Sequence, residues 1–247
     1  MKNKIKNMIN KAKDSLFRVA PMLYIEEIEN HFDKLFNVKD GERIVFHEIV
    51  SDIVHIDVHL IKPSEERPFQ VLFTTGMSDL PMTTPEDASE EFKSDHERAE
   101  IYCILPAGWK LENNMTNEEK DKYYWVVSAI KMAARYPHMC KTWLSHCHTL
   151  QYSEENEPFS PCTKLCAAVF YQLDHTDFGG KYGDGLESFY TNDNTRINLL
   201  CFVPIYSEEM NFKIENSAPE LYEKLFGEDI NDIKQLEINN NRKNVCD

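Results

Sequence analysis

The chain has 247 residues, of which 42 are acidic and 27 basic, for a formal net charge of −15. A hydrophobic share of 42% with 11% aromatics excludes a disordered chain and supplies a sizeable core. A surface this acidic repels phosphate backbones, which argues against nucleic-acid binding and for a basic partner.

No run of about 18 apolar residues occurs, so no transmembrane helix is expected. The seven Cys are irregularly spaced. The basic N-terminus, with Lys2, Lys4, Lys6, Lys11 and Lys13, is not followed by an apolar stretch and cleavage site. Free thiols in a cytoplasmic protein are the expectation.

In chain order, Ile5, Met8, Ile9, Ala12, Leu16 and Val19 recur at helical spacing and predict an amphipathic helix ending before Pro21. A second helix is predicted over 24–36, with Ile25, Ile28, Phe32, Leu35 and Phe36 as its buried stripe. From Arg43 the period becomes two. Val54, Ile56, Val58 and Leu60 alternate with His55, Asp57, His59 and Ile61 as a half-buried strand. Further strands are predicted over 69–75, 99–105, 164–172 and 196–204. A structured loop spans 76–85, followed by an acidic stretch over 86–100.

Thr116 and Glu119 form a capping box for a helix that should stop at Pro137. The Gly-rich segment 178–185 reads as a hairpin loop. Helices over 207–215 and 219–226 close the domain, with Gly227 at a C′ position and a polar tail frayed at its end. The expected division is an N-terminal helical extension (1–22), one domain (23–227) and a C-terminal tail (228–247). Strands in a run, with helices at the ends and in one insertion, predict α+β architecture: a single domain whose mixed, largely antiparallel sheet is flanked by helices.

The nucleophile elbow, Walker A loop, dinucleotide fingerprint and zincin helix are all missing. Two constellations could serve a metal-dependent hydrolase. His55, Asp57 and His59 share one strand face, which otherwise reads as a solvated polar face. His138, Cys140, His146, Cys147, His148, Cys162 and Cys166 lie close in sequence, but without zinc-finger spacing. No cofactor is expected.

A series of strings carries a family likeness. They are Ile56-Asp57-Val58, the Glu66-Arg67-Pro68 turn, and Phe69 through Thr75 leading into Gly76-Met77-Ser78-Asp79-Leu80-Pro81-Met82. Ala99-Glu100-Ile101-Tyr102 with Gly108-Trp109, then Thr142-Trp143-Leu144 with His148-Thr149, then Pro158-Phe159 follow in order. The last is Val203-Pro204-Ile205-Tyr206-Ser207-Glu208-Glu209-Met210. Over roughly residues 25–226 the chain resembles the Suppressor of fused family.

That resemblance implies a protein-binding module rather than an enzyme. The animal member is a two-domain clamp that holds a peptide as an added strand. This chain is similar to its amino-terminal domain only, so neither the clamp nor its partner is implied. The short bacterial relatives imply an immunity protein that neutralises a toxin. At the matched positions, Gly76, Met77, Ser78, Asp79, Trp143 and His148 are the candidate partner-binding residues. Loop shaping is the stronger reading for Gly76 and Asp79, and core packing the stronger one for Trp109, Trp125 and Trp143.

Overall fold

The computed structural model describes residues 21–49, 51, 53–112 and 114–247. The helix expected over the first twenty residues lies outside the described residues. The elements in order are α1 (Ile25–Leu35), β1 (Arg43–Phe46), β2 (Asp57–Ile61), β3 (Phe69–Thr75), α2 (Glu90–His96) and β4 (Ala99–Pro106). They continue with α3 (Trp125–Cys140), β5 (Thr149–Gln151), β6 (Ala167–Tyr171), β7 (Ser188–Tyr190), β8 (Arg196–Ile205), α4 (Ser207–Glu215) and α5 (Ala218–Phe226).

One sheet of eight strands runs β1-β2-β3-β4-β8-β6-β5, with β7 also pairing β8. Every pairing is antiparallel except β4 with β8. The expected α+β architecture is therefore the observed one. No described helix is long and apolar enough to cross a membrane.

Alternation along the strands divides the core between the two faces. Ile101, Cys103 and Leu105 of β4 pack with Leu72, Ile130 and Ala133 on the α3 side. Tyr102 and Ile104 pack with Phe32, Phe73, Val203 and Leu221 on the side of α1, α4 and α5. Period two thus places every other side chain in a different core layer.

This corrects the half-buried reading of 54–61. The pairing segment is only Asp57–Ile61, and all five residues are buried. α1 covers the face expected to be solvated: Phe32 stacks on Phe73 at 4.1 Å, and Phe73 stacks on His59 at 4.7 Å.

The capping box is present: Glu119 N–H donates to Thr116 Oγ1 (3.2 Å), and Thr116 N–H donates to Glu119 Oε2 (3.0 Å). A π-helical turn, Lys120–Tyr124, joins it to α3. α3 does not stop at Pro137 but runs to Cys140. Proline removes one N–H and crowds the carbonyl four residues back, a cost that a helix held by other contacts can absorb. Here His138 Nε2–H donates to the Met77 carbonyl, and Lys141, left-handed at φ 50°, ends the helix.

The acidic stretch contains α2, capped by Ser89. The segment 178–185 is not a hairpin loop. It forms two 3₁₀ turns, and the strands on either side, β6 and β7, both pair with β8 rather than with each other.

The expected frayed tail is the largest departure. Ile230, Ile233, Leu236 and Ile238 are buried. Ile238 N–H donates to the Ile104 carbonyl, just beyond the last β4–β8 pair, Tyr102↔Cys201. Asn240 accepts from Trp125 Nε1–H (3.0 Å) and donates to the Lys122 carbonyl (2.8 Å). Residues 228–247 are thus part of the packed unit.

Candidate functional site

The matched loop after β3 is a buried latch. Gly76 has φ +101°, and a Cβ there would lie 1.8 Å from the His55 carbonyl oxygen. Met77 and Ser78 are fully buried, and Asp79 nearly so. Asp79 Oδ1 accepts the N–H groups of Leu23 and Tyr24, fastening the entry of α1. Ser78 donates through both N–H (2.9 Å) and Oγ–H (2.7 Å) to Glu100 Oε1, whose Oε2 lies 2.6 Å from Thr74 Oγ1. Met77, Ser78 and Asp79, candidates for contact with a partner, expose almost no surface here, Met77 packing in the α3-side core and Ser78 and Asp79 held by hydrogen bonds.

Glu100 carries a consequence for stability. Burial pushes its carboxyl up to about 8, against the donors Thr74 and Ser78 that favour the charge. The unfolded chain loses this proton near the ordinary 4.5. Between those values the folded chain holds one proton more, so this group's contribution to stability falls as pH rises through the window. A glutamine can accept from Ser78 and donate to Thr74 Oγ1, mimicking the protonated acid. The stability of Glu100→Gln should therefore gain on the parent by ~1.4 kcal/mol per pH unit at the steepest. Urea midpoints of both proteins from pH 5 to 8.5 check this; parallel curves would refute it.

The first metal constellation is dispersed. His55 Nε2 lies 3.1 Å from Asp57 Oδ1, and His47 Nδ1 2.8 Å from Asp57 Oδ2. His59 is separate, with Nε2 at 3.0 Å from Thr75 Oγ1, and burial takes its imidazole down to about 3. Ser51 Oγ stands 2.5 Å from His55 Nδ1 but also 2.9 Å from Glu48, which accepts from Ile56 N–H and pairs with Arg135. These contacts close the β1–β2 loop.

The second constellation is dispersed too. His138 is bound to Met77, His146 Nδ1 accepts from Gln172 N–H, Cys140 is exposed and Cys166 is buried. Among the described residues no three His, Cys, Asp or Glu side chains converge as a metal site.

Trp143 and His148 do come together, with ring centroids 4.6 Å apart. They line a groove of about 500 Å³ beside β5. Its lining includes Trp143 and Tyr136 together with Met210 and Ile214 of α4. Ile214 is 70% exposed. Burial lowers the His148 imidazole from its ordinary value, which favours the neutral ring.

The groove runs along a sheet edge. Cys147, at φ 64°, donates its N–H to the Phe170 carbonyl, while Phe170 N–H donates to the His148 carbonyl. Two residues thus oppose one, a bulge that starts β5. Antiparallel alternation then directs the main-chain groups of Leu150 and Tyr152 to β6 and those of Thr149 and Gln151 outward. Sequence reasoning missed β5 because it is three residues long. The cue was Thr149 and Gln151 flanking Leu150, a period too short to read.

The model of the family described as Suppressor of fused protein (SUFU) matches residues 52–237, past the expected boundary at Gly227. No curated protein sequence matches the chain. A SUFU homologue from Neisseria gonorrhoeae has a similar structure, with 18% identity, a TM-score of 0.51, and coverage of 90% of this chain and 96% of that one. The chain in the structure of the Sufu–Fu complex is 12% identical, with a TM-score of 0.58 and coverage of 92% and 93%. Drosophila Suppressor of Fused is also 12% identical with a TM-score of 0.58. There the match covers 94% of this chain but 53% of that protein, about half its length. The structures share the fold, and the family match spans most of the sequence: the chain belongs to the Suppressor of fused family.

Proposed function

We propose that this protein is a non-enzymatic binding module that takes an extended segment of another protein along the free edge of β5. The carrying observation is the outward main chain of Thr149 and Gln151 at the floor of an apolar-walled groove. Main-chain hydrogen bonds supply affinity in such strand addition, and flanking pockets supply selectivity. Membership of a family whose Sufu member is found in a complex with Fu supports a protein partner. Of the matched residues, Trp143 and His148 make the contact, while Gly76, Met77, Ser78 and Asp79 hold the scaffold beneath it.

The net charge of −15 favours a basic partner and speeds its encounter. An immunity protein that neutralises a basic toxin in the cytoplasm fits this description. Gln151→Pro removes one outward N–H, which no β6 carbonyl uses, so the fold should survive. Quantitative affinity capture from the native cell, with circular dichroism as the folding control, should show the main partner reduced at least about tenfold by that variant. The wild-type complex should also weaken as salt rises. Undiminished capture by folded Gln151→Pro would exclude the β5 edge.

A further inference from the structure

We infer that the β5 groove selects a segment bearing a carboxylate side chain, received by Lys213 and Thr149. This rests on strand addition at β5. It runs against the whole-chain charge, which alone would predict basic residues throughout the partner's contact.

Three observations carry it. Thr149 Oγ1 is buried and has no hydrogen-bond partner among the described residues. A buried hydroxyl without a partner is costly, and native structures rarely leave one without a reason. Lys213 of α4 lines the same groove and makes no ion pair among the described residues. It is the groove's one formally charged lining residue, and partial burial lowers its ammonium from the ordinary value.

The two groups also face the same way. Thr149 pairs with Val169, which packs in the core layer containing Met210 of α4. Leu150 lies in the opposite layer. The hydroxyl and the ammonium therefore stand on one side of the edge strand, where alternate side chains of an added strand would project. Both are donors, and among the described residues the hydroxyl has no acceptor and the ammonium no ion-pair partner. One cation balances one carboxylate, whereas a phosphate dianion would keep an unbalanced charge inside a strongly acidic protein's field.

The test uses the whole protein and blocked peptides that alternate Val and Thr around a central Glu, Gln or Lys. Amide spectra of the isotope-labelled protein report the contact. The Glu peptide should shift the Thr149 and Gln151 amides and bind at least about fivefold more tightly than the Gln peptide, with the Lys peptide weakest. Lys213→Met keeps the apolar stem and should bind Glu and Gln peptides equally, still shifting the β5 amides. Thr149→Val should raise the melting temperature of the free protein while weakening the Glu peptide, a pairing that a purely structural hydroxyl would not give. Equal binding of Glu and Gln peptides to the wild type, with β5 amides shifted, would overturn the carboxylate assignment alone. No shift at β5 with any peptide would overturn the strand addition beneath it.

Discussion

Gly76→Ala should destabilise the protein by about 4 kcal/mol or more, enough to abolish the folded state of an ordinary domain. Two costs combine. Gly76 has φ +101°, which L-residues rarely adopt. The new methyl would also meet the His55 carbonyl oxygen at 1.8 Å, and a backbone atom cannot turn aside as a side chain can. Relief requires separating the β3 exit from the segment that leads into β2, and that separation pulls Ser78 away from Glu100 and Asp79 away from the start of α1.

Gly41 supplies the control. Its φ is +82°, but nothing lies within 4 Å of where an added methyl would stand, so Gly41→Ala should cost only ~1–2 kcal/mol. Urea denaturation of both variants checks the contrast. Equal losses would mean that backbone conformation, not the clash, governs position 76.

Arg242→Ala is expected to cost about 3–5 kcal/mol, far more than a surface charge usually contributes. Glu209 is fully buried, and the Arg242 guanidinium pairs with both its oxygens. The carboxylate also accepts the N–H groups of Tyr206 and Val245, each at 2.9 Å. Arg242 itself donates to the Pro204 carbonyl and lies over the Tyr206 ring at 4.9 Å. Removing the cation strands a negative charge among apolar side chains. The double change Glu209→Leu with Arg242→Met removes both charges and should recover much of the loss, because a buried pair is costly mainly when one half is missing. Chemical denaturation of the two singles and the double closes the cycle. A single-variant loss below about 1 kcal/mol would show that Glu209 finds water or another partner.

The sequence is legible where periodicity and local chemistry act together. The apolar strands around Val71, Ile101 and Leu200, the Thr116 capping box and the α4–α5 pair all stand where the residues predict them. The rest depends on contacts that spacing does not encode. Ile230, Ile233 and Leu236 recur every third residue, but the run is too short and too polar between them to announce a packed element, so their burial becomes evident only where Glu237 and Ile238 meet Ile104 of β4. Arg242 meets a glutamate 33 positions earlier. His59 reads as a solvated residue until α1 lies across it.

At the candidate site, Trp143 and His148 are readable as aromatic and polar residues but not as neighbours. The bulge at Cys147 turns the chain to join them, with a residue type that does not advertise a left-handed backbone. The loop from Gly76 to Asp79 misleads in the opposite direction. Its specific string reflects the steric demands of a packed turn, which resemble those of a binding loop when seen only as letters.

The seam between β4 and the tail has a consequence during synthesis. β4 and β8 are the sheet's parallel neighbours, joined across nearly a hundred residues, and strand pairings so remote in sequence form slowly. Until residues 237–242 leave the ribosome, the Ile104 carbonyl lacks the N–H of Ile238, and Glu209 lacks its cation. The nascent chain must therefore carry an open flank beside its central strand until residues 237–242 have emerged, so this seam closes after the other pairings of the sheet are in place.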